Sequence, residues 1–240
     1  MLSTCDAFAD QSPPTPGTPS STVPSIHAAG SGGLLFNPGH GAFQLEVQQR
    51  LWALKMRLDD SALTGLLESV AGVNNLLVLF DPLIIKQEIL HEHLLSMWHS
   101  TPTQAIVGQE HIIPVDYGGE YGTDFGHACD YLGLSPEELV ARHSANVYTV
   151  ACIGSMAGFG YLVGLPDALA IPRRKTPRTQ TPRGSVMIGG AQTGIQPITA
   201  PSGWNILGRT DIALFDPHAE SPCLLAPGDQ IRFTIRSLTP

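Results

Sequence analysis

Across residues 44–58, Val47, Leu51, Leu54 and Leu58 recur on one stripe at helical spacing, which predicts an amphipathic helix laid against a second layer. A short apolar run, LLF, precedes it and is set off by the turn-forming stretch NPGHG. Downstream, GLLESV and NLLVLF are β-prone runs separated by Ala71, Gly72, Val73 and Asn74, the pattern of a hairpin. Asp81 followed by Pro82 reads as an N-cap with proline at the first helical position. It would open a helix in which Leu83, Leu90, Leu94 and Met97 recur as far as residue 98. Residues 25–100 therefore read as a small α+β domain.

A boundary near residues 100–109 leads into IIPVDYGGEYGTDF, a strand-like run that ends in glycines and carboxylates. Ser135, Pro136 and Glu138 then form a capping box with proline at the first helical position, and the helix runs on to His143. Beyond it the helical pattern stops. VYTVACIG, SVMIGG and DQIRFTIR are strand candidates, and the last alternates Ile231, Phe233 and Ile235 with Arg232, Thr234 and Arg236. Residues 101–240 read as a mainly β domain, with a closed barrel the economical way to remove sheet edges. Residues 1–24 carry Pro13, Pro14, Pro16, Pro19 and Pro24 among Ser and Thr, and are expected to be a disordered tail.

Composition narrows the classes of function. A chain of 240 residues with 42% hydrophobic composition can bury a sizeable core. Asp and Glu number 21 against 13 Lys and Arg, a net charge of −8 that argues against a nucleic-acid binder. The four cysteines form no C-x-x-C pair and read as reduced thiols. No apolar run is long enough to cross a bilayer, and the first Lys or Arg is Arg50, so a cytoplasmic, membrane-free protein is expected.

Against that acidic background, residues 173–204 read RRKTPRTQTPRGSVMIGGAQTGIQPITAPSGW. Arg173, Arg174, Lys175, Arg178 and Arg183 make a local positive island, with Pro177 and Pro182 stiffening the presentation of two of them. Guanidinium forks recognise carboxylate or phosphate bidentately, and Gln192, Thr193 and Gly194 add polar and small groups beside them. In the GGEYGTD turn, Glu120, Asp116 and Asp124 could serve as acid and base, hold Mg²⁺, or simply bond their own backbone. His143 is a candidate general base, or a cation suited to a helix C-terminus. Residues 154–160, GSMAGFG, lack the P-loop and nucleophile-elbow patterns, and His91 and His93 point to different helix faces, so no metal site is expected.

The runs GGEYGTD, LSPEELVARHS, GFGYLVGLP, PRRKTPR, GSVMIGGAQTGIQPI, PSGW and LGRT, in this order, resemble the KipI/PxpB family, the B-type subunits of 5-oxoprolinase, also called allophanate hydrolase subunit 1. The resemblance spans about residues 25–238. It implies an α+β N-terminal domain followed by a mainly β, cyclophilin-like barrel domain. It also implies a C-type partner subunit (PxpC/KipA-like), an A-type subunit, ATP with Mg²⁺, and a small anionic lactam or amide as substrate. On this resemblance the chain is expected to be the B-type subunit of an ATP-dependent 5-oxoprolinase-like amidohydrolase. Glu120 and His143 would be its catalytic residues, and Arg174, Arg178, Gln192, Thr193 and Gly194 would bind substrate or phosphate. A non-catalytic regulator of a histidine kinase and a urea carboxylase-like carboxyltransferase subunit are the alternatives. The chain departs from the family's usual pattern at Ala157, Arg183, Gln196 and Ser202, around the expected ligand surface.

Overall fold

The computed structural model describes residues 23–39, 43–103 and 108–240. The expected disordered tail lies outside the described residues except for its last two positions. A four-stranded sheet comes first, built from β1 (Ser25–Ala28), β2 (Gly33–Asn37), β3 (Leu66–Ala71) and β4 (Leu76–Phe80) in the order β1-β2-β4-β3. The expected hairpin is present as the antiparallel pair β3 and β4. Its turn closes with the Gly72 amide on Asn75 O and puts Asn74 at φ 58, a left-handed position that asparagine tolerates.

Helices α1 (Leu45–Asp60) and α2 (Gln87–Ser100) join the same apolar cluster as this sheet. Leu51, Leu54 and Leu58 of the expected stripe are fully buried there. The start of α2 differs from expectation. Asp81 organises a turn instead, its carboxylate accepting from the Leu83 amide and its carbonyl from the amides of Ile84 and Ile85. Leu83 is left 94% exposed, and Ile85 takes its place in the core.

Seven of the remaining strands form a closed barrel in the order β10-β7-β6-β13-β5-β12-β9. These are β5 (Glu110–Gly118), β6 (Val147–Ile153), β7 (Gly160–Val163), β9 (Ser185–Gly189), β10 (Gln192–Ile195), β12 (Asn205–Arg209) and β13 (Gln230–Thr239). All pair antiparallel except β5 with β13. Ile231 and Phe233 of β13 point inward as the alternation requires, but a bulge between Ile235 and Ser237 breaks the period and leaves Ile235 exposed. A ribbon of β8 (Arg178–Thr181) and β11 (Ala200–Ser202) forms a separate two-stranded sheet.

Two helices lie between β5 and β6 in the chain. The expected capping box starts α4 (Pro136–Ser144), with Glu138 N–H donating to Ser135 Oγ and Ser135 N–H to Glu138 Oε2. Helix α3 (Phe125–Leu132) was not expected from the sequence, because no side chain caps its N-terminus. It ends at Gly133, at φ 64, with the Leu134 amide returning to Cys129 O. Gln48 and Trp52 of α1 tie sheet to barrel, each donating its side-chain N–H to Ala151 O on β6.

Candidate functional site

The basic stretch leaves the barrel after β7 and is held on its outside by a clasp. Arg174 N–H donates to Gly203 O, which brings the stretch against the turn before Trp204. Asp124, at the start of α3, is 3% exposed and faces both arginines. Arg178 grips its carboxylate bidentately at 2.6 and 2.7 Å, Arg174 Nη1 approaches to 2.5 Å, and the Ile206 amide of β12 donates at 2.8 Å. Burial alone would raise this carboxyl. The Arg178 hydrogen bonds, the Ile206 amide and the charges of Arg178 and Arg174 outweigh it and hold the pKa below the ordinary carboxylate value. Asp124 thus neutralises one of the two guanidinium charges and fixes the position of both.

Beside the clasp lies a cavity of about 250 Å³, a size suited to a small molecule. One wall is aromatic: Phe159, Tyr161 and Trp204 meet edge to face, with ring centroids 5.0–6.1 Å apart. Trp204 reaches this position because Gly189 presents no side chain beneath it; a Cβ there would stand 2.5 Å from the indole. Arg173 lies over the same ring, 5.7 Å from its centroid, and among the described residues it makes no ion pair. Its positive charge is therefore available at the cavity, whereas those of Arg174 and Arg178 are shared with Asp124. Ser155 borders the cavity at φ 64, in a tight turn closed by the Met156 amide on Gly154 O. A cation without an ion pair among the described residues, an aromatic wall, and a buried donor and acceptor without a partner among them, Arg174 Nε and Gln196 Oε1, border this space.

The residues expected from sequence to act are dispersed. Arg174 borders the cavity, but Arg178 is turned to Asp124 and does not. Gly194 backs the cavity beneath Phe159 and Trp204, and Gln192 stands half-buried at the start of β10, opposite Gly189. Glu120 sits exposed on the 3₁₀ turn Gly119–Tyr121 and takes no part in the cavity.

His143, expected as a general base or a helix-end cation, is a fully buried group inside the barrel, stacked on Phe233 with ring centroids 4.7 Å apart. Thr193 O–H donates to Met187 O, so its oxygen accepts from His143 Nε2–H, and His143 Nδ1 accepts from Tyr117 O–H. Tyr148 O–H closes the set on His143 O. Burial lowers the imidazole pKa to about 3, so the ring is neutral and both nitrogens are engaged. Thr193 belongs to this interior chain of hydrogen bonds rather than to a ligand surface. The carboxylates considered for Mg²⁺ do not gather either: Asp116 is held by Arg236 and Ser237, Asp124 by its arginines, and Glu120 stands apart. Among the described residues no three potential metal ligands converge.

Residues 24–225 match the family model of the carboxyltransferase domain, subdomain C and D. The chain belongs to this family. Within it, the chain is similar to the B-type 5-oxoprolinase subunit of Haemophilus influenzae, 41% identical over 81% of this chain and 90% of that one. The crystal structure of TTHA0988 superposes with a TM-score of 0.74 at 34% identity, covering 87% of this chain and 41% of that longer one. The fold recurs in the Kluyveromyces lactis urea amidolyase, with a TM-score of 0.79 at 21% identity over 89% of this chain and 15% of that one.

For this carboxyltransferase-family chain, the sequence pointed to Arg174 and Arg178; the cavity is bordered by Arg173 and Arg174, while Arg178 is turned to Asp124. In the sequence Arg173 reads only as part of the positive island, and Trp204, Phe159 and Tyr161 have no assigned role, because the cavity is assembled from three separate segments. The available signals were Gly189, which clears room for a large ring, and the tryptophan after PSG.

Proposed function

We propose that this chain is the B-type subunit of a heteromeric, ATP-dependent amidohydrolase of the 5-oxoprolinase kind, and that the cavity beside the clasp receives the substrate. In this reading Arg173 and the free Nε–H of Arg174 hold the substrate carboxylate, and the aromatic wall packs against its ring. The clasp on Asp124 keeps Arg174 in place without reorganisation when the ligand enters. In this reading ATP and Mg²⁺ are engaged by the assembled complex. The observation that carries the reading is a cation-bordered, aromatic-walled cavity in a chain 41% identical to a protein named as the B-type member of 5-oxoprolinase.

The test is reconstitution with C-type and A-type subunits. The complex is expected to consume 5-oxoproline and ATP together. Arg173→Ala is expected to raise the apparent KM for 5-oxoproline by roughly ten- to a hundredfold, the value of a charge-assisted hydrogen bond of about 1.5–3 kcal/mol. A complete complex that turns over neither compound would refute the assignment.

A further inference from the structure

We propose that Gln196 is a specificity-determining residue, whose buried carboxamide oxygen accepts a hydrogen bond from an N–H of the ligand. The cavity would then take a small carboxylate bearing a lactam or amide N–H and reject the matching lactone or ester. This inference rests on the reading of the cavity as the substrate site and names the chemistry by which that site selects.

Gln196 follows β10 directly, and its main chain is fixed on both sides. Its amide donates to Ser185 O, and its carbonyl accepts from the Gly184 amide. The side chain borders the cavity although the residue is only 1% exposed. Its Nε2 faces Met156 Sδ at 3.5 Å. A thioether can only accept, so the NH₂ end belongs at the sulfur and the oxygen end is left over. That oxygen has no donor among the described residues. Buried acceptors are paired in the great majority of folded proteins, so an unpaired one at a cavity marks a position for a partner.

A second unpaired atom narrows the chemistry of that partner. Arg174 Nε, a donor, is also buried and without a partner among the described residues, and Arg174 borders the same cavity. One orphan accepts and the other donates, so the matching ligand offers both an N–H and an anionic or carbonyl oxygen. Trp204 and Phe159 supply the apolar face for its ring. A lactone placed in the cavity returns no donor to Gln196. Sites built to hydrogen-bond an N–H reject the analogue lacking it far more strongly than apolar pockets reject a missing methylene.

The test is calorimetric titration of the full chain with 5-oxoproline and with 5-oxotetrahydrofuran-2-carboxylate, in which oxygen replaces the ring N–H. Wild type is expected to prefer 5-oxoproline by roughly ten- to a hundredfold. Gln196→Met, which keeps the volume and removes the acceptor, is expected to bind the two compounds equally. Gln196→Glu keeps an acceptor and is expected to retain the preference even as overall affinity for these anions falls, which guards against a misfolded Met variant. Equal binding of both compounds by wild type, or a preference that survives Gln196→Met, overturns the role of Gln196 and leaves the cavity as a carboxylate site. Binding of neither compound by wild type removes the reading of the cavity and the inference with it.

Discussion

Replacing Asp124 by Ala is expected to destabilise the protein by about 3 kcal/mol, near the lower end for breaking a buried ion pair from one side. The lower end applies because the side chains of Arg174 and Arg178 keep 33% and 23% exposure and can recover some hydration. One carboxylate accepts from two guanidinium groups and the Ile206 amide, so its loss strands two charges and a backbone donor at once. Asp124→Asn keeps the shape but sets an NH₂ against a guanidinium, and an intermediate loss is expected. Because the folded pKa of Asp124 is depressed, the clasp's contribution is complete above the ordinary aspartate pKa, near ~3.9, and fades as pH falls through the lower folded value. Urea denaturation at neutral pH measures the effect. A loss below about 1 kcal/mol for Asp124→Ala, the worth of an exposed ion pair, would show that the clasp is solvated.

His143 is expected to make the fold sensitive to acid in a higher pH range. Its imidazole is neutral in the barrel, with a pKa of about 3, while in the unfolded chain it titrates near the ordinary value of ~6.5. Between these values the unfolded state binds the extra proton. The stabilising contribution is therefore present in full above about pH 6.5 and declines as pH falls toward the folded value, by up to about 1.4 kcal/mol per pH unit. His143→Gln is expected to be less stable at pH 7, because Tyr117 and Thr193 lose a partner of the right shape, yet to lose less on acidification. Urea unfolding at pH 7, 6 and 5 separates the two effects, and above pH 4 the Asp124 clasp does not contribute to the slope. Equal slopes in wild type and variant would mean that the ring is hydrated and protonates in the folded state.

Local patterns carried the framework. The stripe of α1, the β3–β4 hairpin and the Ser135–Glu138 capping box each depend on residues a few positions apart, and each is present. Sequence and structure part at two aspartates. Asp81 satisfies a local turn rather than a helix, through amides two to four positions on. Helix α3 begins at an aspartate whose carboxylate is turned to arginines 50 and 54 positions on, partners that no local pattern reveals. The same cause moved the candidate site. Arg178 looked free to meet an anion only until Asp124 was brought to it, and His143 looked like a helix-end cation until the barrel closed around it. Arg173, with no such partner among the described residues, kept its charge at the cavity.

In the proposed function, the cavity bordered by Arg173, Arg174 and Trp204 binds a small lactam carboxylate. Three tryptophans, Trp52, Trp98 and Trp204, give three indole N–H signals in a ¹⁵N-resolved NMR spectrum. Trp52 and Trp98 do not border the cavity, and Trp52 is fixed on Ala151 O. Titration with 5-oxoproline is predicted to shift the Trp204 indole signal saturably while the other two hold still, and Arg173→Ala is predicted to weaken that response. A Trp204 signal that stays unmoved up to millimolar ligand, or that shifts only together with the other two, would contradict the account.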